Sequence, residues 1–174
     1  MRKLSFTLLM VCAFAASASA QTKMSGKQDC AKPDTQQSVD VGDKPGHALM
    51  LQKGSCTWGT PYEMAGLKAV SSIYASTSEA WGANVTEHGY ATDTMDNGDT
   101  ISEKYTGTIT VAKDGTATFH GTWTVSSATG KLKGVSGSGT YGGTAAADGS
   151  GSIDVRGTYT TAKPAAAAKP APAS

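Results

Sequence analysis

Apolar and polar residues alternate in short runs through residues 46–161, and no segment keeps the apolar period of an α-helix for long. Thr, Ser, Gly, Val and Tyr are abundant there, and clusters of Gly, Asn and Asp separate the runs. This pattern predicts an all-β domain, a sandwich or an antiparallel barrel. The predicted strands lie near residues 47–58, 67–78, 80–93, 99–112, 116–127, 135–143 and 151–161. A short helical turn is expected within residues 127–134.

Two glycine-ended turns set the register of the central strands. If 96–98 and 113–115 are three-residue loops with Gly98 and Gly115 in the left-handed conformation, all odd-numbered residues of the three strands share one face. That face is apolar and aromatic, and the opposite face is rich in threonine, as a sheet solvated on one side requires. The expected cross-strand rows are Val85–Ile109–Phe119, Glu87–Gly107–Gly121 and Gly89–Tyr105–Trp123.

Glycines at positions 137, 139 and 142 have the spacing of a dinucleotide-binding fingerprint. Such a loop must open a helix, but here a turn and another alternating strand follow, so the sequence argues against this function. Most of these glycines instead share the inward parity of the aromatic residues. Inward glycine permits strong coiling of a strand and leaves space in the wall. Neighbouring aromatic rings could fill that space, or it could form a cavity.

Glu87 is the residue with the most chemical potential. In the expected register it projects inward beside two glycines, where an apolar pocket would raise its pKa and suit it as a hydrogen-bond anchor. The alternative is a solvated position at the barrel rim. Glu103 has the same parity but lies closer to a turn, so we expect it at the rim. The sequence shows no catalytic triad, cofactor motif or metal-ligand spacing, and we assign no catalytic residue, cofactor or metal.

Residues 1–20 have the features of a secretory signal peptide: a basic start at Arg2 and Lys3, a short apolar run, and a small-residue cleavage site at 18–20. Without Arg2 and Lys3, the 15 basic residues become 13 against 14 acidic ones, and the formal charge changes from +1 to −1. A near-neutral chain does not favour nucleic acid, and no later segment is apolar enough for membrane insertion. We therefore expect a secreted or periplasmic bacterial protein.

The flanks of the domain are polar or low in complexity. Residues 21–45 are predicted to be an N-terminal arm with little structure of its own, and residues 162–174 a disordered Pro- and Ala-rich tail. After signal cleavage two cysteines remain, Cys30 and Cys56. In an oxidising compartment they are expected to form a disulfide that ties the arm to the first strand, with two free thiols as the alternative.

The stretch from Gly121 to Thr144 resembles a recurring hairpin of allene oxide cyclase and dirigent-type β-barrels and their small secreted bacterial relatives. The similar segments are Gly-Thr-Trp at 121–123, Thr-Gly-Lys-Leu-Lys-Gly at 129–134 and Gly-Ser-Gly-Thr-Tyr at 137–141. The resemblance extends over residues 80–161. It implies a single antiparallel barrel of about eight strands, a lumen for a small apolar ligand, and often a homo-oligomer.

We therefore expect a β-barrel that binds a small hydrophobic or aromatic molecule without catalysis. The expected ligand-binding residues are Glu87, Tyr105, Phe119, Trp123, Tyr141 and Tyr159. One alternative is an isomerase or cyclase of dirigent type that uses Glu87 on a bound intermediate. The other is a surface interaction module with a packed interior.

Overall fold

A computed structural model describes residues 21–161 of the 174-residue chain; the predicted signal peptide and the predicted tail lie outside them. The described chain is all-β, with ten strands and one short 3-10 turn. In chain order they are β1 (Thr22–Cys30), β2 (Thr35–Asp40), β3 (His47–Thr60), β4 (Glu63–Met64), β5 (Leu67–Trp81), β6 (Asn84–Met95), β7 (Thr100–Val111), β8 (Ala117–Ala128), the 3-10 turn (Gly130–Leu132), β9 (Ser136–Ala145) and β10 (Gly151–Thr160).

Eight of these strands close into an antiparallel barrel. The ladder runs from β3 through β1, β10, β9, β8, β7 and β6 to β5, and β5 pairs with β3 to complete the circle. A closed barrel has no unpaired edge strand, whereas each sheet of a sandwich has two. Of the two architectures that the sequence predicted, the structure is therefore the barrel. The two further strands, β2 and β4, pair with β3 and β5 outside the circle.

The prediction that residues 21–45 have little structure of their own is wrong. β1 is a full member of the barrel and pairs with β10 along its whole length, while β2 adds to β3. The sequence hid β1 because Met24 is its one large apolar inward residue, followed by Gly26 and Gln28. Small and polar inward residues suffice here, since a Cβ at Gly26 would meet the Trp58 ring of β3 at 2.8 Å.

The predicted central register is confirmed. Gly98 and Gly115 have φ of +87° and +84° and end three-residue loops closed by Met95–Asp99 and Ala112–Thr116 backbone hydrogen bonds. All three expected cross-strand rows form as predicted. The predicted junction between β5 and β6 is displaced: β5 continues to Trp81 and β6 begins at Asn84, because the turn lies at 82–83, where Gly82 has φ of +63°. The 3-10 turn also lies in the segment expected to contain one.

The two ends of the barrel differ. At one end the β3–β5 connection and the 3-10 turn cover the lumen with a dense apolar cluster, in which Tyr62, Met64, Ile101 and Leu132 are all at most 1% exposed. At the other end β2, β3 and β5 extend beyond the β7–β8 and β9–β10 turns. We call these ends the floor and the mouth. None of the helical segments in residues 21–161 has the length and apolar character to cross a bilayer.

Candidate functional site

The lumen contains a cavity of about 310 Å³ that begins at the mouth. Val85, Ile109 and Phe119 form an apolar row near the mouth, Glu87 lies one row deeper, and Tyr105 and Trp123 lie below it. This volume is at the lower end of what small-molecule pockets in proteins offer. The sequence left open whether the space beside the inward glycines is filled by aromatic rings or forms a cavity. Both occur: aromatic rings cover these glycines, and a cavity remains.

Each of several inward glycines lies under an aromatic ring from another strand. A Cβ at Gly54 would meet Tyr74, one at Gly89 would meet Tyr105, and one at Gly157 would meet Trp123. Because no Cβ intervenes, the rings can lie flat against the wall instead of projecting into the centre. The glycines thus accommodate the aromatic side chains and also keep the middle of the lumen open.

The Glu87 row extends to a fourth strand. Glu87, Gly107, Gly121 and Tyr141 occupy successive paired positions on β6, β7, β8 and β9. The Tyr141 ring lies over both glycines, and its hydroxyl donates a hydrogen bond of 2.8 Å to Glu87 Oε1. A side chain at either glycine would occupy the space of this ring. The two glycines are what allow the phenol to reach the carboxylate.

Glu87 does not lie solvated at the rim. Burial in the lumen raises the pKa of its carboxyl group, and the hydrogen bond from Tyr141 opposes this rise. Burial also raises the pKa of Tyr74, Tyr105 and Tyr141, and the Glu87 charge raises each of them further. The carboxylate is thus surrounded by phenol groups in a poorly solvated space, where it can accept a hydrogen bond from a ligand.

The expectation that Glu103 lies at the rim is wrong. Its side chain lines the deep end of the cavity and the residue is 8% exposed, close to Asp93, which is 2% exposed. The nearby turn is not an open rim, because the apolar floor covers that end of the barrel. The Tyr62 hydroxyl donates a hydrogen bond of 2.8 Å to Asp93 Oδ2.

The two deep carboxyl groups titrate abnormally. Burial raises the pKa of Asp93 to about 6, although Ser72 and Tyr62 act in the opposite direction. Burial raises the pKa of Glu103 to about 8, and the negative charge of Asp93 adds to that rise. Two like charges this deep in a protein cannot both ionise readily, so the pair retains a proton at neutral pH.

The structure brings five of the six expected ligand-binding residues to this cavity. Glu87, Tyr105, Phe119, Trp123 and Tyr141 all line it. Tyr159 also points inward but lies in the floor cluster, where its hydroxyl accepts a hydrogen bond of 3.1 Å from the Ala65 N–H.

Trp123 is 3% exposed. Its indole N–H donates to the Arg156 carbonyl at 3.2 Å, so its ring forms part of the wall while its polar atom is already satisfied. Trp123 can therefore report on the lumen without being needed for polar recognition of a ligand.

Cys30 and Cys56 form the expected disulfide, with Cα atoms 4.0 Å apart. They are directly paired on β1 and β3, and both line the cavity. The disulfide therefore links two adjacent strands of the barrel and does not attach a flexible arm to it.

Sequence reasoning missed Tyr74 and Asp93, and it placed Glu103 at the rim. Tyr74 lies on β5 beyond a bulge between Ala69 and Ser71, where the inward residues become even-numbered, and the displaced boundary near Trp81 hid this parity. The available signal was the two-residue turn at 82–83, which pairs even-numbered residues of β5 with odd-numbered residues of β6. Asp93 and Glu103 had the correct inward parity, but nothing local in the sequence shows that one end of the barrel is covered.

A search of solved structures finds similarity to a pterocarpan synthase dirigent protein, with a TM-score of 0.49 and 9% identity. The matched region covers 91% of this chain and 98% of that chain. A scan against protein-family models and a search of curated proteins find no match. Similarity at this level says nothing about activity, and the strand pairing of this chain by itself defines the barrel.

Proposed function

We propose that this protein binds a small apolar or aromatic molecule in the lumen of its barrel and holds it without chemical change. The observation that carries this proposal is the cavity of about 310 Å³, which opens at the mouth and contains Glu87 among tyrosine rings. Apolar walls with a few convergent polar groups are the usual composition of a small-molecule site. An interaction module with a packed interior would have no such space.

Filling the lumen tests this function. Ala91 lines the cavity, whereas Ala75 on the adjacent strand points outward and is exposed. We expect Ala91→Phe to weaken binding of 1-naphthalenemethanol about tenfold or more, because the added ring occupies ligand space. Ala75→Phe, the matched control, should leave the affinity unchanged. Isothermal titration calorimetry measures the affinity of each protein. Equal affinities in both variants, or no binding by the parent protein, would contradict the proposal.

An isomerase or cyclase acting on a bound apolar intermediate is the second candidate. It is favoured by the poorly solvated Glu87, whose raised pKa suits proton donation. The Glu87→Gln variant distinguishes a binding protein from an enzyme. A binding protein should lose some affinity and show no turnover of any ligand it retains, whereas an enzyme should lose turnover while it keeps affinity. The ligand to use is the small molecule that mass spectrometry finds bound to protein purified from its source.

We further propose that the protein is exported by a bacterial cell to the periplasm or the medium. The predicted signal peptide and the Cys30–Cys56 disulfide support this location, since disulfides persist in oxidising compartments. N-terminal sequencing of the protein recovered from the periplasm and medium checks it. A mature chain that begins at Gln21 is expected, and an uncleaved chain confined to the cytoplasm would exclude export.

A further inference from the structure

The acidic and basic side chains inside the barrel are all carboxyl groups. Glu87 and Glu103 line the cavity and Asp93 lies beside its deep end, while no Lys, Arg or His of residues 21–161 lines it. Every Lys and Arg in that part of the chain is exposed on the outside. Carboxyl groups buried without a cation are costly, and proteins ordinarily pair them. Here the interior supplies acceptors and negative charge but no compensating positive charge.

The acceptors inside the cavity are incompletely used. In residues 21–161, Glu87 accepts one side-chain hydrogen bond, from Tyr141, and none of the side-chain hydrogen bonds involves Glu103. Glu103 is 8% exposed at the deep end of the cavity, where the pair that it forms with Asp93 retains a proton. Glu87 Oε2 accepts no side-chain hydrogen bond within residues 21–161, so it is a poorly solvated acceptor that calls for a donor. A molecule occupying the cavity is in position to provide one.

The aromatic rings of the cavity also favour a positively charged ligand. Tyr74, Tyr105, Phe119 and Tyr141 surround the level of Glu87, and the Tyr105 and Tyr141 rings pack edge to face with centroids 5.7 Å apart. Aromatic faces attract cations, most strongly where water is excluded. A carboxylate and several ring faces around one apolar space form a suitable environment for an organic ammonium group and an unsuitable one for a carboxylate or phosphate.

We propose that the ligand is an apolar or aromatic amine, bound as its ammonium ion with Glu87 as the counter-ion and its hydrocarbon part against the row of Val85, Ile109 and Phe119. This inference rests on the proposed binding function and narrows it to one ligand class. It also excludes fatty acids and other anionic lipids from the lumen, since nothing inside it can neutralise them.

Three probes that share the 1-naphthylmethyl group test the inference: 1-naphthalenemethylamine, 1-naphthalenemethanol and 1-naphthaleneacetate, titrated by calorimetry at pH 7. We expect the amine to bind about tenfold or more tightly than the alcohol, and the acid most weakly, as a charge-assisted hydrogen bond to a buried acceptor implies. Glu87→Gln should bring the amine within about twofold of the alcohol, because only the charge interaction is lost. Glu63→Gln on exposed β4 is the matched control and should keep the full preference.

The outcomes distinguish the two proposals. If none of the three probes binds, the proposed binding function fails. If the alcohol binds and the amine binds no more tightly, the function stands and the amine inference is overturned. A preference for the amine that survives Glu87→Gln overturns the assignment of Glu87 as counter-ion. Near-ultraviolet circular dichroism of each variant confirms that its aromatic packing is intact, and Glu87→Asp gives a second variant that retains charge if Glu87→Gln does not fold.

Discussion

The Tyr141 hydroxyl on β9 donates a hydrogen bond to Glu87 Oε1 on β6 across the two strands that separate them. The bond spans a track of two glycines, Gly107 and Gly121, over which the phenol ring lies. This relationship accounts for two inward glycines at one level of the wall, and it places the only hydrogen-bonded carboxylate among the cavity-lining residues of the described chain at mid-depth in the lumen.

Removal of the Tyr141 hydroxyl should change both the titration of Glu87 and the stability of the protein. The hydrogen bond lowers the pKa of Glu87, so Tyr141→Phe should raise that pKa further. We also expect the free energy of unfolding to fall by about 1–2 kcal/mol. Carbon-13 NMR of the Glu87 carboxyl group and urea denaturation measure the two effects. Tyr90→Phe, at an exposed position, should change neither, and an unaltered Glu87 titration in Tyr141→Phe would show that the hydrogen bond does not form.

The close packing of Tyr141 against Gly107 and Gly121 leads to a second prediction. A Cβ at Gly107 would collide with the Tyr141 hydroxyl and approach the His120 carbonyl oxygen to 2.6 Å. Gly107→Ala should therefore lower the free energy of unfolding by about 2 kcal/mol through overpacking, and it should raise the Glu87 pKa by displacing the phenol. Gly142→Ala is the control, since its Cβ would come no closer than 3.3 Å to the Phe119 carbonyl oxygen. Equal stability of the two variants in urea would contradict the overpacking argument.

The deep acid pair should make the protein less stable as pH rises. Burial raises the pKa of Glu103 to about 8 from its ordinary value, so between the two values the unfolded chain binds fewer protons than the folded one. Stability should therefore fall across this interval, and Glu103→Gln should flatten the dependence. At pH 8 we expect the variant to be more stable than the parent protein by on the order of 1–3 kcal/mol.

Thermal unfolding of the parent and of Glu103→Gln from pH 4 to pH 9 measures this difference. Glu63→Gln, exposed on β4, should reproduce the parent curve. Parallel curves for the parent and Glu103→Gln would show that Glu103 is charged in the folded state like a surface carboxylate.

His47 should act in the same direction along the pH scale, because its pKa is also raised in the folded state. Its ring stacks on Trp81 with centroids 3.6 Å apart, and its two nitrogens contact the carboxylates of Asp43 and Glu79. The hydrogen bond to Asp43 is the main cause that raises the pKa of His47, with Glu79 adding to it. A raised histidine pKa stabilises the fold below the ordinary value, and this contribution is lost as pH rises through the folded value.

Proton NMR of the imidazole checks the His47 prediction. Asp43→Asn should bring the His47 pKa down, while the exposed His120 serves as an internal reference in the same spectra. A His47 titration that is unchanged by Asp43→Asn would show that the contact with Asp43 does not control its protonation.

Some features were predictable because they depend on local chemistry. The odd-numbered face of β7 and β8 follows from the period of a strand and from the φ that Gly98 and Gly115 adopt, and the structure confirms it. The disulfide was predictable from the count of cysteines. The strand at residues 22–30 was not predictable. Its inward side chains include only one large apolar residue, and the strand forms by pairing with β10, which is distant in sequence.

The same division runs through the candidate site. The sequence by itself determined which residues face inward on the central strands, and therefore that Glu87 shares a row with two glycines. Tertiary structure alone decided that Tyr141 reaches Glu87, that one end of the barrel is covered over Glu103, and that a cavity remains between the rings. The reason is physical: side-chain direction follows from strand periodicity, but depth, closure and free volume depend on how strands distant in sequence curl around one another.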